Sequence, residues 1–252
     1  MTNFETELTF FNPITLKQMD RVKLMNRVDT KFAFSIKQFQ EILHELKDYY
    51  DILEIENTRT PFYESLYFDE ADFKFFQDHH NGKTDRFKVR FRKYVESNLF
   101  FLEIKHKIKG RTDKTRIQVE SIPENLSDDH LAFINENIPE LKNLEAKMWN
   151  SFHRITLVNK TANERLTLDY DLNFKWEEEN IHLDNLVIAE LKQESVKRNS
   201  VFYQLMKKHH IRPYRLSKYC IGSIELYGQN YLKFNRFKKK LLQLKKINEY
   251  AA

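Results

Sequence analysis

The sequence predicts an α+β protein: a closed antiparallel β-barrel tunnel with a charged interior, flanked by helices. Three observations lead there. Eight or so short segments are rich in aromatic and β-branched residues, a tight joint links two of them, and six alternating segments divide charged from apolar side chains. The 252 residues hold only 4 Gly and 5 Pro, with no internal repeat and no linker-like stretch. The chain therefore reads as one domain, with a core over about 10–226 and a basic helical tail over about 227–252.

The first alternating run, RVDTKFA at 27–33, puts Arg27, Asp29 and Lys31 on one face. Ser35 and Gln38 are spaced as a capping box, and Phe39, Ile42, Leu43 and Leu46 follow at helical spacing, which predicts a helix over 35–48. Strands are expected at 50–56 and 63–69, then a helical interruption near 72–80. RFKVRFRKY at 86–94 sets Arg86, Lys88, Arg90 and Arg92 on alternate positions, with Phe87, Val89 and Phe91 between them. The joint Glu96–Ser97–Asn98 reads as a hairpin, so LFFLEIKHK at 99–107 should pair antiparallel with its predecessor. That run offers Glu103, Lys105 and Lys107 opposite Phe100, Leu102 and Ile104. KTRIQVE adds Lys114, Arg116 and Gln118, and a helix is expected near 127–137. Strands follow at 148–159, carrying Arg154, and at 164–174, where Arg165, Thr167, Asp169 and Asp171 alternate with Leu166, Leu168 and Tyr170. The last strand, 186–194, sets Glu190, Lys192 and Glu194 against Val187, Ala189 and Leu191, and the pattern from about 197 onward is helical.

For any one strand, the plain reading of such a charged face is the wet outside of a sandwich. Recurrence favours another. An ordinary solvated face uses Ser, Thr, Asn and Gln freely, whereas these concentrate Arg and Lys with a few carboxylates. If the sheet closes on itself, the charged faces line a tunnel and the apolar faces pack under outer helices. Unpaired cations in a dry interior would cost several kcal/mol each, so such a tunnel must be wide enough for water and suited to a polyanion. A linear phosphate chain or a nucleoside triphosphate fits best, with the carboxylates pairing cations or holding Mg²⁺ or Mn²⁺ beside phosphate oxygens.

Charge distribution narrows the partners. Residues 233–252 hold seven of the 42 Lys and Arg and one of the 37 Asp and Glu, leaving a body with 35 cations against 36 anions. A neutral body with inward cations argues against a nucleic-acid binder, which needs an exposed basic surface. No apolar run approaches the roughly 20 residues of a membrane span, and the first residues, MTNFETELTF, are acidic, so a cytoplasmic protein is expected. Cys220 is the single cysteine, which leaves no internal disulfide or cysteine-based zinc site and reads as a small buried apolar residue. His79–His80 and His209–His210 are adjacent pairs without a HExxH-type partner and read as surface residues.

Six stretches in this order, NRVDTKF (26–32), FKVRFRKY (87–94), FLEIKHK (101–107), RLTLDYD (165–171), IAELK (188–192) and RLSKYC (215–220), resemble the VTC domain, the polyphosphate polymerase branch of the triphosphate tunnel metalloenzymes. The resemblance runs from about residue 10 to 226. It implies a barrel that binds ATP and a growing polyphosphate with Mn²⁺ or Mg²⁺, transfers the γ-phosphoryl group to the chain end and releases ADP. Carried over by motif, Lys31, Arg90, Arg92, Lys105, Arg165 and Lys218 would contact phosphates, and Glu190 would hold the metal. Arg27, Lys88, Lys107, Arg154 and Lys192 are supporting substrate contacts. The wider superfamily opens with an ExExK strand; Arg27–Val28–Asp29–Thr30–Lys31 departs from it and leaves metal binding on fewer acids.

Asp29, Glu103, Asp169 and Asp171 read first as ion-pair partners of neighbouring cations, with a share in the metal as the second reading for Asp169 and Asp171. The reaction could also run toward hydrolysis, as an inorganic triphosphatase, or the domain could bind polyphosphate without turnover. The tail sets Phe234, Phe237, Leu241 and Leu244 on a stripe flanked by lysines. It reads either as packing across the barrel's outside or as docking to an anionic membrane or acidic partner.

Overall fold

The computed structural model describes residues 4–19, 28–109 and 111–249. The described elements are α1 (Glu5–Leu8), β1 (Pro13–Ile14), α2 (Leu16–Met19), β2 (Val28–Ser35), α3 (Ile36–Leu46), β3 (Tyr50–Leu53), β4 (Phe62–Glu70), α4 (Lys74–Asn81), β5 (Arg86–Tyr94) and β6 (Leu99–Ile108). They continue with β7 (Arg111–Val119), α5 (Asp128–Asn137), β8 (Leu144–Asn159), β9 (Glu164–Trp176), β10 (Glu179–Leu183), β11 (Leu186–Gln193), α6 (Val201–Lys208), α7 (Lys218–Tyr231) and α8 (Asn235–Glu249).

Local chemistry sets several boundaries. Ser35 ends β2 and caps α3: its Oγ accepts from the Gln38 N–H at 3.3 Å, while the Gln38 side chain accepts from the Ser35 N–H at 3.1 Å. Phe39, Ile42, Leu43 and Leu46 of α3 are fully buried, at roughly 1.5–3 kcal/mol each. The joint after β5 is a hairpin with Tyr94 opposite Leu99, and Asn98 takes a left-handed φ of 48°. Two short strands escaped the sequence reading, β1 and β10, because two residues or five mostly polar ones carry no alternation signal.

Eight strands of one 11-stranded sheet run in the order β2–β11–β9–β8–β4–β5–β6–β7, every neighbour along this path antiparallel, while β10 pairs with β9, β3 with β8 and β1 with β3 off the path. The sheet curls strongly, but β2 and β7 do not pair: the barrel is open, a half-barrel rather than the closed tunnel expected. The cause lies at the two edges. The outer edge of β2 is taken by the segment leading into α7, where the Tyr214 N–H donates to the Lys31 carbonyl at 2.6 Å. The other edge, β7, is mostly exposed and carries Arg111, Lys114 and Arg116, cations that discourage edge pairing.

The apolar outer face of β2, β11, β9 and β8 packs under α1, α3 and α6 around Phe32, Phe34, Leu166, Leu168 and Leu191. The outer face of β4, β5 and β6 is covered by α4 and α5 around Phe75, Val89, Phe91 and Ile134. The third cluster lies on the inner face, where α7 and α8 cover Ala33, Ile188, Leu172, Phe174 and Met148. This needs a bulge: the β8–β9 register shifts between Ser151 and His153, opposite Asp171 at φ 52°, so Leu172 and Phe174 share a face with Asp169. Asp69, fully buried on β4, accepts N–H groups of Phe75 and Phe76 and the Tyr219 hydroxyl at 2.8, 2.9 and 2.5 Å, tying α4 and α7 to the sheet.

The tail does not cross the barrel's outside. Its α8 buries Leu241 and Leu244 against α7, and the Asn185 side chain donates to the Asn248 carbonyl at 2.9 Å. No helix among the described residues is long and apolar enough to cross a membrane. Of the histidines read as surface residues, two are held: His79 Nδ1 lies 3.2 Å from the buried Cys220 Sγ, and His209 Nε2 lies 3.0 Å from Glu45 Oε1.

α7 meets the sheet at Gly222. A Cβ there would fall 2.3 Å from Phe174 Cδ1 and 2.7 Å from Met148 Cε, and both side chains are fully buried. Ala would gain about 1 kcal/mol of helix propensity, but overpacking of about 1–3 kcal/mol outweighs it. Gly222→Ala is expected to lower the melting temperature by several degrees in a circular dichroism scan; a melting temperature at or above wild type would refute this account of the contact.

Candidate functional site

Strand register assembles the charged inner face row by row. On one wall Lys31 (β2) lies opposite Glu190 (β11), itself opposite Thr167 (β9); the next row is Asp29, Lys192 and Arg165. Asp169 faces Arg154 across β9 and β8. On the other wall Arg90 lies between Tyr67 and Glu103, Arg92 between Ser65 and Phe101, and Lys88 opposite Lys105 and then Lys114. Four strands separate β11 from β6, yet Glu190 and Lys105 act on each other electrostatically. The sheet therefore curls so that these faces line one cleft.

Three carboxylates hold the cations in place. Glu103, with no exposure, takes Arg90 Nε and Nη2 on Oε2 at 2.9 and 2.5 Å and Lys114 on Oε1 at 2.6 Å. Asp169 receives a fork from Arg154, at 2.6 and 2.8 Å, and the Lys218 ammonium from α7. Glu190 takes Lys192 at 2.6 Å and Lys31 at 3.5 Å, and Lys192 also donates to Thr167 Oγ1 at 3.1 Å. Burial works against each charge, but the adjoining cations win and hold all three acids well below the usual carboxylate range.

The cations outnumber these acids. Arg90 pushes the Lys105 ammonium well below its ordinary value, with burial and Arg92 adding to the effect. Burial brings Lys218 down to about 7, assisted by Arg154 and opposed by Asp169. Arg92 is buried, and its Nε donates to Ser65 Oγ at 3.1 Å. Such a surplus is stable only in a wet cleft or around an anion.

Most of the expected residues converge here: Lys31, Lys88, Arg90, Arg92, Lys105, Lys107, Arg154, Glu190, Lys192 and Lys218 share the inner face. Arg165 stands on the outermost row, its Nη1 3.8 Å from Met19 Sδ. Arg27 lies outside the described residues. Sequence reasoning missed an aromatic support: the Tyr63 and Phe152 rings stack in parallel at 5.5 Å, with Arg92, Arg154 and Lys218 within 5.5, 5.1 and 3.8 Å of one ring or the other. A signal existed in the alternation Tyr63–Ser65–Tyr67 and in Phe152 two residues before Arg154, which set these on the charged face.

For a divalent cation the cleft offers Glu190, which pairs with Lys31 and Lys192 and whose side chain is 20% exposed. Both oxygens of Glu103 and Asp169 are held by short hydrogen bonds, whereas Glu190 Oε1 meets Lys31 at the longer distance of 3.5 Å. This donor set suits Mg²⁺ or Mn²⁺ bound through one carboxylate, water and substrate phosphate oxygens, and does not suit an all-protein cage. Asp171, His182 and Asp184 gather elsewhere, exposed, with ligand atoms within 4.8 Å of one another.

A half-barrel with a basic, acid-braced inner face belongs to the tunnel-like fold seen in two solved structures. A candidate adenylate cyclase from Bacillus halodurans is 15% identical, with 77% of this chain and 96% of that one covered and a TM-score of 0.50. A candidate adenylyl cyclase from Hippeastrum, described as having a dominant triphosphatase activity, is 11% identical, with 82% and 99% covered and a TM-score of 0.51. No curated protein sequence matches significantly. The family is nevertheless defined: residues 26–227 match the VTC domain, and the chain belongs to that family.

Since Lys218 loses its proton near pH 7, the cleft loses a cation as pH rises through that value. Relative to Lys218→Arg, which stays charged, wild-type affinity for tripolyphosphate should fall between pH 6 and 8, by at most about tenfold per pH unit. Isothermal titration calorimetry at fixed ionic strength checks it, and parallel profiles would refute it.

Proposed function

We propose that this protein is a cytoplasmic, divalent-metal-dependent polyphosphate polymerase, which transfers the γ-phosphoryl group of ATP to the end of a polyphosphate chain. The observation that carries the reading is the cation surplus of the cleft, arriving from six strands and α7 and braced by individually paired carboxylates. Membership of the VTC domain family supports it.

Phosphoryl transfer asks for positioning and charge neutralisation, because the transition state spreads negative charge over the moving group's oxygens. Arg90 and Arg92, two apart on β5, present guanidinium forks held by Glu103, Tyr67 and Ser65. Lys105 adds charge beside them on β6, Lys31, Arg154 and Lys192 add it from the facing wall, and Lys218 from α7. The attacking group is a terminal phosphate oxygen of the chain, already ionised near neutral pH; it bonds to the γ-phosphorus as the bond to the bridging oxygen breaks and ADP leaves. No side-chain nucleophile is required. Glu190 is the protein ligand for Mg²⁺ or Mn²⁺, which when bound would neutralise phosphate charge beside it.

Hydrolysis is the second reading, favoured by the triphosphatase activity described for the Hippeastrum protein. The same cations would then serve attack by water. Incubation with ATP and Mn²⁺, with products separated by size, distinguishes the two: the proposal expects ADP and phosphate chains, and ADP with only orthophosphate overturns it. Glu190→Gln should reduce metal-dependent turnover on the order of 10²-fold while metal-free tripolyphosphate binding is kept. Unchanged turnover would place the metal ligand elsewhere.

A further inference from the structure

α8 has two opposite faces, and the fold uses one of them. The apolar stripe read in the sequence is turned inward: Leu241 and Leu244 are buried, with Phe234, Phe237 and Ile247 packed beside them against α7. Hydrogen bonds lock that seating along the helix. Arg236 Nη1 donates to the Asn81 carbonyl at 2.6 Å, Lys240 Nζ to the Arg215 carbonyl at 3.1 Å, and the Asn185 side chain to the Asn248 carbonyl at 2.9 Å. The helix therefore cannot roll its apolar side into a bilayer, as a free amphipathic helix does.

The outward face has a different chemistry. At about 100° per residue, Lys238, Lys239, Leu242, Lys245 and Lys246 fall in one sector of about 120°, with Leu242 at its middle. All five are exposed, Leu242 by 53%. Lys245 has Glu225 Oε2 at 3.5 Å, whereas Lys238, Lys239 and Lys246 pair with no carboxylate among the described residues. Glu249 is the single acid of 233–249, against seven cations. A lone exposed leucine is ordinary; one ringed by four lysines on a rigid helix offers charge and apolar contact together.

Charge complementarity decides what covers such a face. Residues 1–232 are balanced, with 35 cations against 36 anions, so the field of α8 is local and orients the whole molecule. Lysine is a point charge on a flexible stem, which suits the diffuse negative layer of lipid headgroups. The tail's one arginine, Arg236, is tied to Asn81. A nucleic acid would be met by arginine forks or stacked aromatic rings, and the sector has neither. An acidic protein segment would need a groove for its side chains, and the outward side of a single helix is convex. A bilayer needs a field of lysines and one apolar side chain that can enter between headgroups.

We propose that the outward face of α8 docks on an anionic lipid bilayer, with Lys238, Lys239, Lys245 and Lys246 meeting headgroup charge and Leu242 entering between them. The attachment is peripheral, reversible and salt-dependent. It does not depend on what the cleft binds or turns over.

Co-sedimentation of the full chain with vesicles tests this, at about 0.1 M salt. The protein should pellet with phosphatidylcholine vesicles containing about one-third phosphatidylserine, not with phosphatidylcholine alone, and salt of about 0.5 M should release it. A lysine at such a surface is worth roughly fivefold in partitioning, so Lys238→Gln with Lys239→Gln and Lys246→Gln should weaken binding at least about 30-fold. Lys238→Arg with Lys239→Arg and Lys246→Arg keeps the charge and should keep the binding. Leu242→Ser should cost at least about threefold and leave the salt dependence as it is. Lys37→Gln with Lys197→Gln and Arg198→Gln, an equal charge loss at exposed sites elsewhere, should cost less than about threefold. All these side chains are exposed, so melting curves should match wild type and show that a loss of binding is not a loss of fold.

Equal pelleting with both vesicles, an equal loss in the Lys37, Lys197 and Arg198 variant, or an undiminished affinity in the α8 glutamine variant or in Leu242→Ser each overturns the proposal. Polyglutamate or duplex RNA bound by wild type and lost in the α8 glutamine variant, without vesicle binding, gives the face to an acidic protein or a nucleic acid and overturns it as well.

Discussion

The structure depends on the pairing of buried carboxylates with more cations than they can neutralise. Glu103, Asp169 and Glu190 each brace at least two basic side chains, and without them the inner face could not be both cationic and folded. A buried ion pair seldom adds stability over an apolar replacement, because desolvation cancels the attraction. Here it organises the face: each acid fixes the direction of guanidinium and ammonium groups, and the charge left over is what an anion would meet.

That face shares its surface with an apolar half. Along β11, Leu186 and Ile188 lie under α7 and α8, while Glu190 and Lys192 belong to the cleft. Along β9 the bulge at Asp171 lets Leu172 and Phe174 join Asp169 on one side. α7 therefore does two things: its Gly222 packs tightly on Phe174 and Met148, and its first residue, Lys218, reaches the acid of the cleft. Helix, bulge and glycine together decide how far into the half-barrel solvent and ligand reach.

Much of this was legible in the chain. Alternation in RFKVRFRKY, LFFLEIKHK and VIAELKQE assigns each side chain to a face, since a strand's period of two leaves no other choice once the apolar face is buried. Ser35 and Gln38 announced α3 because a capping box is a local contact. The aromatic pair Tyr63 and Phe152 was harder to see, because aromatic residues on a strand signal core and only tertiary contact shows cations around them. His79 and His209 were misjudged as surface residues because their burial comes from α7 and α3, far away in sequence.

By itself, the sequence determined which side chains share a face, that this face is basic, and which short motifs mark the family; these follow from strand periodicity and local spacing. Tertiary structure decided that the barrel stays open, because the segment before α7 takes the edge of β2. It also decided which acid braces which cation and that α7 and α8 fill one half of the inner face. The open edge and the placement of α7 and α8 depend on contacts such as Tyr214 with Lys240 and Lys31 with Leu216, 26 and 185 positions apart, whose partners no local pattern specifies.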